Sequence, residues 1–268
     1  MFKKILVANR SEIAIRVFRA ARELRIPSVG IYSAEDRLTL HRFNTRESYR
    51  IGEGKGPIEA YLDMDGIIRI AKKSGADAVH PGYGFLSENP DFAGLCADSG
   101  ITFIGPSPET MRRLGNKVEA RALAIEADVP VMPATEPLPH DGAEITRLAE
   151  TIGYPLMLKA SWGGGGRGMR VIEDESGLLD RVAAARREAQ AAFGNDEVYL
   201  EKLVRNARHV EVQIMGDSHG QVVHLFERDC TVQRRHQKIV ERAPAPYLSE
   251  QQRDEITSSA VRLAQSVQ

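Results

Sequence analysis

Short apolar runs alternate with amphipathic stretches over the first hundred residues. Residues 4–8 and 28–32 are apolar and contain β-branched side chains, whereas the apolar positions of residues 13–24 recur at helical spacing. Asn9, followed three positions later by Glu12, predicts a capping box at the start of that helix. The order strand, helix, strand predicts a parallel, doubly wound α/β unit.

The same alternation continues to residue 104. We predict helices and strands in turn at residues 64–74, 78–80, 90–99 and 101–104. The loop 80–89 follows a strand and precedes a helix, which places it at the carboxyl edge of a parallel sheet, where ligands usually bind. Asn9, after the first strand, is expected at the same edge. Tyr83 stands between two glycines of the loop, which fits either a ligand contact or a capped turn.

The most distinctive segment is residues 159–170, with the sequence KASWGGGGRGMR. Glycines allow backbone N–H groups to approach a polyphosphate closely, and Lys159 adds a positive charge. Predicted strands at 155–159 and 169–172 flank the glycines, so we interpret the segment as a flap. A Walker motif is excluded because the lysine precedes the glycines, and a dinucleotide fingerprint because no helix follows. A mobile surface loop is the alternative.

A predicted helix over residues 116–127 begins with Asn116 and Lys117. A cation at a helix start is unfavourable, because that end carries a partial positive charge. Lys117 therefore indicates either a local anion or a solvated side chain. The proline-dense residues 129–140 that follow predict a stiff connector close to a domain boundary.

The rest of the chain mixes strands and helices. We predict helices at 176–192 and 249–266, and strands at 197–204, 209–215 and 222–228. The polar residues 227–238 (ERDCTVQRRHQK) are rich in basic side chains, which suit phosphate or bicarbonate better than a metal; a solvated turn is the alternative. We interpret Cys230 as a buried packing residue rather than a reactive thiol.

Composition narrows the classes of partner. The 268 residues carry a formal net charge of −1, which argues against nucleic acid and anionic membranes as partners. Cys96 and Cys230 are too few for a disulfide framework or a cysteine-based zinc site. No apolar run of about 18 residues occurs, so no membrane span is predicted. We expect a cytoplasmic or similarly reducing compartment.

Three motifs carry a resemblance to a known family. The biotin carboxylase component of biotin-dependent carboxylases resembles this chain at residues 159–170, at HPGYGFLSEN (80–89), at 227–238 and at the opening ILVANRSEIA. Within this family, the chain resembles the amino-terminal part of pyruvate carboxylases most. The residues that carry this resemblance are Trp162, GPIEAYL (56–62) and ERAPAPYL (241–248). The resemblance covers essentially the whole chain.

The resemblance implies an α/β fold class. It implies a Rossmann-like (pre-ATP-grasp) amino-terminal domain at 1–118, followed by an incomplete ATP-grasp domain at 119–268. Within the second domain it implies a lid at about 132–203 and the start of a central sheet at 204–268. The implied activity is that of a ligase, the ATP-dependent carboxylation of biotin with bicarbonate through carboxyphosphate, which serves the conversion of pyruvate to oxaloacetate.

The resemblance also implies residue roles. Lys117 and Lys159 would hold phosphates, and Lys238 is the implied catalytic residue, in contact with bicarbonate. The full set implied around ATP is Lys117, Lys159, Gly165, Gly166, Met169, Glu201, Lys202, Val204, His209, Gln233 and His236. Among these, Gly165, Gly166 and Met169 belong to the lid, and Glu201, Lys202 and Val204 to the adenine contact. Lys238, Gln233 and Tyr83 are implied on the bicarbonate and biotin side.

Some features of the family fall outside this sequence. The family's domain continues well past Gln268 and carries its Mg²⁺-binding glutamates there, so no metal ligand is expected in this chain. A biotinylation motif and a carboxyltransferase segment are also missing. We therefore expect a fragment that is inactive alone, with a biotin carboxyl carrier domain and a carboxyltransferase domain as partners in a homo-oligomer. The alternatives are another ATP-grasp carbon–nitrogen ligase and a non-catalytic nucleotide-binding fragment.

Overall fold

The computed structural model describes residues 1–162, 169–234 and 237–267. The chain divides into two compact units, Met1–Arg112 and Arg113–Gln268. The division lies a few residues before the domain boundary expected at residue 118. Among the described residues, no helix combines the length and the apolar character needed to cross a bilayer.

The first unit is built on a five-stranded parallel sheet. The strands lie in the order β3-β2-β1-β4-β5. Its elements are β1 (Ile5–Val7), α1 (Ser11–Glu23), β2 (Ser28–Tyr32), a 3₁₀ helix (Glu35–Leu38), α2 (Leu40–Phe43), β3 (Glu47–Arg50), α3 (Pro57–Tyr61), α4 (Met64–Ser74), β4 (Ala78–His80), α5 (Pro90–Asp98), β5 (Thr102–Phe103) and α6 (Pro108–Gly115), whose last residues belong to the second unit.

The central strand β1 contributes to two hydrophobic cores. Leu6 packs in a cluster with residues of β2, α4 and α5, whereas Ile5 and Val7 pack in a second cluster with residues of α1. Successive side chains of a strand point to opposite faces, so both faces of the sheet are covered. The doubly wound α/β arrangement predicted from the periodicity is confirmed.

The capping box predicted at Asn9 is wrong. Helix α1 follows Arg10, and no side chain caps its start. The amide nitrogen of Asn9 instead donates to the carbonyl oxygens of Pro81 (2.7 Å) and Tyr83 (2.8 Å). The side chain of Asn9 therefore binds residues that are distant in the sequence but adjacent at the sheet edge, instead of capping the helix as the local pattern predicted.

Arg10 forms a partly buried ion pair in this unit. Its Nε and Nη2 atoms each lie 2.5 Å from an oxygen of Asp36, which is 4% exposed, and Tyr61 donates its hydroxyl to the same carboxylate. The hydrogen bond from Arg10 is the main cause that lowers the pKa of Asp36.

We expect Arg10→Ala to reduce the free energy of unfolding by about 2–3 kcal/mol, because the buried carboxylate loses its cation; the partial exposure of Arg10 keeps the cost below that of a fully buried pair. Urea unfolding measures the loss, with Arg16→Ala on the exposed side of α1 as the matched control. Equal losses in the two variants would contradict the prediction.

In the second unit, the described strands form two antiparallel sheets. Their strand orders are β7-β6-β8 and β11-β10-β9. The elements are α7 (Lys117–Glu126), α8 (Gly142–Ile152), β6 (Leu156–Ala160), β7 (Arg170–Ile172), α9 (Leu178–Phe193), β8 (Val198–Lys202), β9 (Val210–Gly216), β10 (Val222–Arg234), β11 (Gln237–Arg242) and α10 (Glu250–Ser266). The strand pair predicted on either side of the glycine-rich segment is confirmed as β6 and β7.

The proline-dense residues 129–140 pair with β8 inside the second unit. The N–H groups of Thr135 and Leu138 donate to the carbonyl oxygens of Leu200 and Val198, both at 2.8 Å. Lys202 in turn donates its backbone N–H to Pro133. The prolines, which lack an N–H, fall at positions that do not donate to β8. These residues are part of the second unit, so the prediction of a stiff connector at this position is wrong.

Candidate functional site

Strands β6 and β8 place a lysine and a glutamate on one face of their sheet. Alternate residues of β6 are buried in the core, which leaves Met157 and Lys159 on the other face. The strand register pairs Met157 with Glu201 and Lys159 with Tyr199. Lys159 and Glu201 are therefore diagonal neighbours on the same face, and they form an ion pair.

Helix α7 brings a second lysine to this face. The side chain of Asn116 caps the helix by accepting hydrogen bonds from the N–H groups of Val118 (2.8 Å) and Glu119 (3.2 Å). The backbone N–H of Lys117 donates to the carbonyl oxygen of Ser161, at 3.1 Å. The start of α7 is thus attached directly after the end of β6. The predicted helix start at Asn116 is confirmed.

Between α7 and the sheet lies a cleft of about 390 Å³, which we call the lysine cleft. The cleft is lined by Leu114, Lys117, Ala120, Arg121, Val131, Met132, Lys159, Tyr199 and Glu201. Three cations face one carboxylate, and apolar side chains together with Tyr199 supply the remaining wall. A small, mostly apolar cleft with a few convergent charges suits a ligand that combines a flat base with phosphates, such as ATP. A larger cavity, of about 460 Å³ beside α9, has no cation among its described lining residues.

The charge of Lys117 is destabilised in this cleft. Burial lowers the pKa of Lys117, and the positive charge of Lys159 lowers it further, while Glu201 opposes both effects. An anion bound between the two ammonium groups would remove both penalties, because it would replace lost hydration and screen the repulsion. The lysine cleft therefore favours phosphate.

A second polar group lies on the sheet β11-β10-β9. We call it the Glu211 cluster: His209, Glu211, Arg228, Gln233, Lys238 and Glu241. Glu211 forms ion pairs with Arg228, its register partner, and with Lys238. Arg228 Nε also lies 3.0 Å from an oxygen of Glu241. The amide nitrogen of Gln233 lies 2.9 Å from His209 Nδ1 and 2.9 Å from the carbonyl oxygen of Cys230.

The acidic members of this cluster do not fit a metal ion. Glu211, Glu241 and the sulfur of Cys230 lie close together, yet both carboxylates are already paired with cations. Burial, helped by the charge of Glu211, raises the pKa of Cys230 to about 11, so the thiol stays protonated. The interpretation of Cys230 as a buried packing residue is confirmed.

The ion pairs of Glu211 predict a pH dependence. Burial alone would raise the pKa of Glu211, but Lys238 and Arg228 outweigh it and lower the pKa from 4.5 to about 2. Because the folded-state pKa is the lower one, the stabilisation is complete above pH 4.5 and is lost as the pH falls towards 2.

We therefore expect the difference in unfolding free energy between the wild type and Glu211→Gln to shrink across that range. Denaturant unfolding at a series of pH values measures it, with Glu255→Gln on α10 as the exposed control. A difference that stays constant with pH would contradict the prediction.

The structure brings together some of the candidate residues and separates others. Lys117, Lys159 and Glu201 share the lysine cleft, and His209, Gln233 and Lys238 share the Glu211 cluster. Gly165, Gly166 and His236 lie outside the described residues.

The remaining candidates lie elsewhere. The Nζ atom of Lys202 donates to the carbonyl oxygens of Gly153 and Tyr154, both at 2.8 Å, and Lys202 does not line the lysine cleft. Val204 is exposed beyond β8, and Met169 lies half-buried before β7. Tyr83 belongs to the first unit and is 60% exposed.

Sequence reasoning missed Arg121 and Glu211. Arg121 follows Lys117 by one helical turn, and Glu211 follows His209 by two positions in an extended segment, so each shares a face with a residue that was identified. Extending the search from each candidate by the local period would have found both.

Comparison with known families covers nearly the whole chain. Residues 1–111 match the family described as biotin carboxylase, N-terminal domain. Residues 116–268 match the family described as carbamoyl-phosphate synthase L chain, ATP binding domain.

Individual relatives agree with these matches. The chain is 54% identical over 265 residues to pyruvate carboxylase of Bacillus subtilis (strain 168), a match that spans 99% of this chain and 23% of that protein. The structure is similar to Rhizobium etli pyruvate carboxylase, with a TM-score of 0.90 and 64% identity over 99% of this chain and 24% of that chain.

A third relative has been solved with ligands. The biotin carboxylase domain of Hydrogenobacter thermophilus 2-oxoglutarate carboxylase, in complex with MgADP, ADP and bicarbonate, has a TM-score of 0.92 and 45% identity over 100% of this chain and 58% of that chain. The fold is thus that of biotin carboxylase domains, of the ATP-grasp type. The chain belongs to the biotin carboxylase family.

Proposed function

We propose that this chain supplies nucleotide- and bicarbonate-binding residues of an ATP-dependent biotin carboxylase, a ligase. The observation that carries the proposal is the lysine cleft, where three cations, apolar side chains and Tyr199 surround a space suited to a nucleotide. The Glu211 cluster, in the same unit, adds a lysine for a second, smaller anion. The family membership agrees with both.

In this proposal, ATP supplies the γ-phosphoryl group that converts bicarbonate to carboxyphosphate. Lys117 and Lys159 hold the phosphates and compensate the charge that develops during transfer. Glu201 keeps Lys159 extended across the sheet face before the nucleotide arrives, so little side-chain freedom is lost on binding. Arg121 adds a third cation at the cleft wall.

Lys238 is the proposed bicarbonate contact. The ammonium group of Lys238 has three N–H donors. One of them donates a hydrogen bond to Glu211, and the other two can bind bicarbonate oxygens. Arg228 holds the other oxygen of Glu211, which fixes the carboxylate and therefore Lys238. Gln233 lies opposite Lys238 in the strand register, within reach of the same anion.

The finer assignments extend beyond these residues. We propose pyruvate as the acceptor of the complete protein, with a biotin carboxyl carrier domain and a carboxyltransferase domain as partners, because the chain is similar to pyruvate carboxylases. Tyr83 is proposed on the biotin side. Mg²⁺ would accompany the nucleotide, and the described carboxylate cluster is not its site. The cytoplasmic compartment stays a prediction.

The test is a carboxylation assay on the full-length gene product that contains this chain. We expect ATP hydrolysis to require bicarbonate, and label from ¹⁴C-bicarbonate to appear in biotin only when ATP is present. ATP hydrolysis driven by a different carboxylate, with no label in biotin, would indicate another carbon–nitrogen ligase. Nucleotide binding without any turnover would indicate a non-catalytic protein, and either result would overturn the proposal.

A further inference from the structure

A buried side chain, that of Asn9, fastens the loop 80–89 to the connection between β1 and α1. Asn9 is 2% exposed, and its amide nitrogen donates to the carbonyl oxygens of Pro81 (2.7 Å) and Tyr83 (2.8 Å). Its amide oxygen accepts from the backbone N–H of Arg10, at 2.8 Å. Both donors and the acceptor of the amide are used, so its orientation is fixed by its partners.

The loop backbone is shaped to accept this contact. Gly82 has a φ of +68°, and a Cβ atom there would lie 2.6 Å from Asn9 Nδ2. Only glycine allows the loop both this conformation and this close approach. The N–H of Gly82 donates to His80 Nδ1, at 3.0 Å, so the turn is also held from within.

Tyr83 is the residue that this arrangement presents. The apolar residues that follow it in the loop are packed inwards. Leu86 is 3% exposed, and the ring centroid of Phe85 lies 5.1 Å from that of Tyr61. Tyr83 itself is 60% exposed, and its hydroxyl is hydrogen-bonded to Glu12 in the first turn of α1. Asn9, in the β1–α1 connection, thus holds the carbonyl oxygen of Tyr83, and Glu12, in α1, holds its hydroxyl.

We propose that Asn9 is a positioning residue for the carboxyl acceptor: it fixes the backbone of Tyr83 so that this side chain meets biotin in a preset orientation. The inference rests on the proposed function, which assigns Tyr83 to the biotin side. A contact residue ordered in advance loses less freedom when the ligand binds, so Asn9 acts on biotin affinity. Its hydrogen bonds involve none of the residues assigned to the nucleotide.

The test compares the Michaelis constants of two substrates in the full-length gene product. For Asn9→Ala we expect the KM for free biotin to rise about tenfold while the KM for ATP changes by less than about twofold, because only the loop is released. Asn9→Ser, which keeps one donor, should fall between the wild type and Asn9→Ala, and it decides the matter if the alanine variant does not fold.

A double-mutant cycle separates positioning from a general structural role. If Asn9 acts through Tyr83, the variant Tyr83→Ala should remove most of the effect of Asn9→Ala on the KM for biotin. An unchanged KM for biotin, equal changes in both constants, or additive effects in the cycle would overturn the inference. A wild-type protein without biotin-dependent turnover would instead overturn the proposed function.

Discussion

Replacing Lys117 with alanine is expected to weaken ATP binding about 30- to 150-fold, the loss of about 2–3 kcal/mol that accompanies removal of a charged hydrogen-bond donor. The reason lies in the lysine cleft, where burial and the neighbouring Lys159 already lower the pKa of Lys117. Glu201 offsets part of that cost in the free protein, and an anion bound between the two ammonium groups would offset more of it. The variant should therefore lose affinity for ATP.

Isothermal titration calorimetry with MgATP measures this loss. Lys72→Ala, an exposed lysine of α4, is the matched control. Equal ATP affinity in Lys117→Ala and Lys72→Ala would contradict the assignment of the cleft.

Replacing Lys238 with glutamine is expected to lower kcat/KM for bicarbonate about 100- to 1000-fold, a typical cost of removing a group that stabilises developing charge. The KM for ATP should change by less than about threefold, because Lys238 does not line the lysine cleft. The ion pair with Glu211 predicts that Glu211→Gln shows the same selectivity with a smaller loss, since Lys238 then keeps its charge but not its anchor.

Steady-state kinetics on the full-length gene product, with each substrate varied in turn, provide the measurement. Lys72→Gln is the matched control. A parallel loss of ATP and bicarbonate parameters in Lys238→Gln would show that the residue serves the fold or the nucleotide, and the bicarbonate role would have to be abandoned.

Local patterns were sufficient to predict most elements of this fold. Strand β2 and helix α4 occupy the predicted residues, because proline and glycine mark their ends and the apolar spacing is regular. The flap strands were also predictable, since a buried strand precedes the glycines and another follows them. The sequence showed that the motif at 227–238 is polar. It did not predict that β10 runs on through this motif to Arg234, or that β11 begins at Gln237.

The failures share a physical cause. Asn9 has the right spacing for a capping box, and residues 129–140 have the composition of a linker, yet both pair with groups far away in the sequence. No local pattern reports which strand edge or loop carbonyl will be nearby after folding. The strand period places Glu211 on the same face as His209, but its ion pairs with cations on two other strands could not be read from that pattern.

Photolabelling with an azido derivative of ATP tests the nucleotide site most directly. The full-length gene product would be irradiated with the probe, digested, and mapped by mass spectrometry, with unlabelled ATP as competitor. Labels that ATP displaces should fall on peptides containing Met132, Tyr199 or Arg121, which line the lysine cleft. Competed labels confined to other parts of the protein would contradict the assignment of the lysine cleft as the nucleotide site.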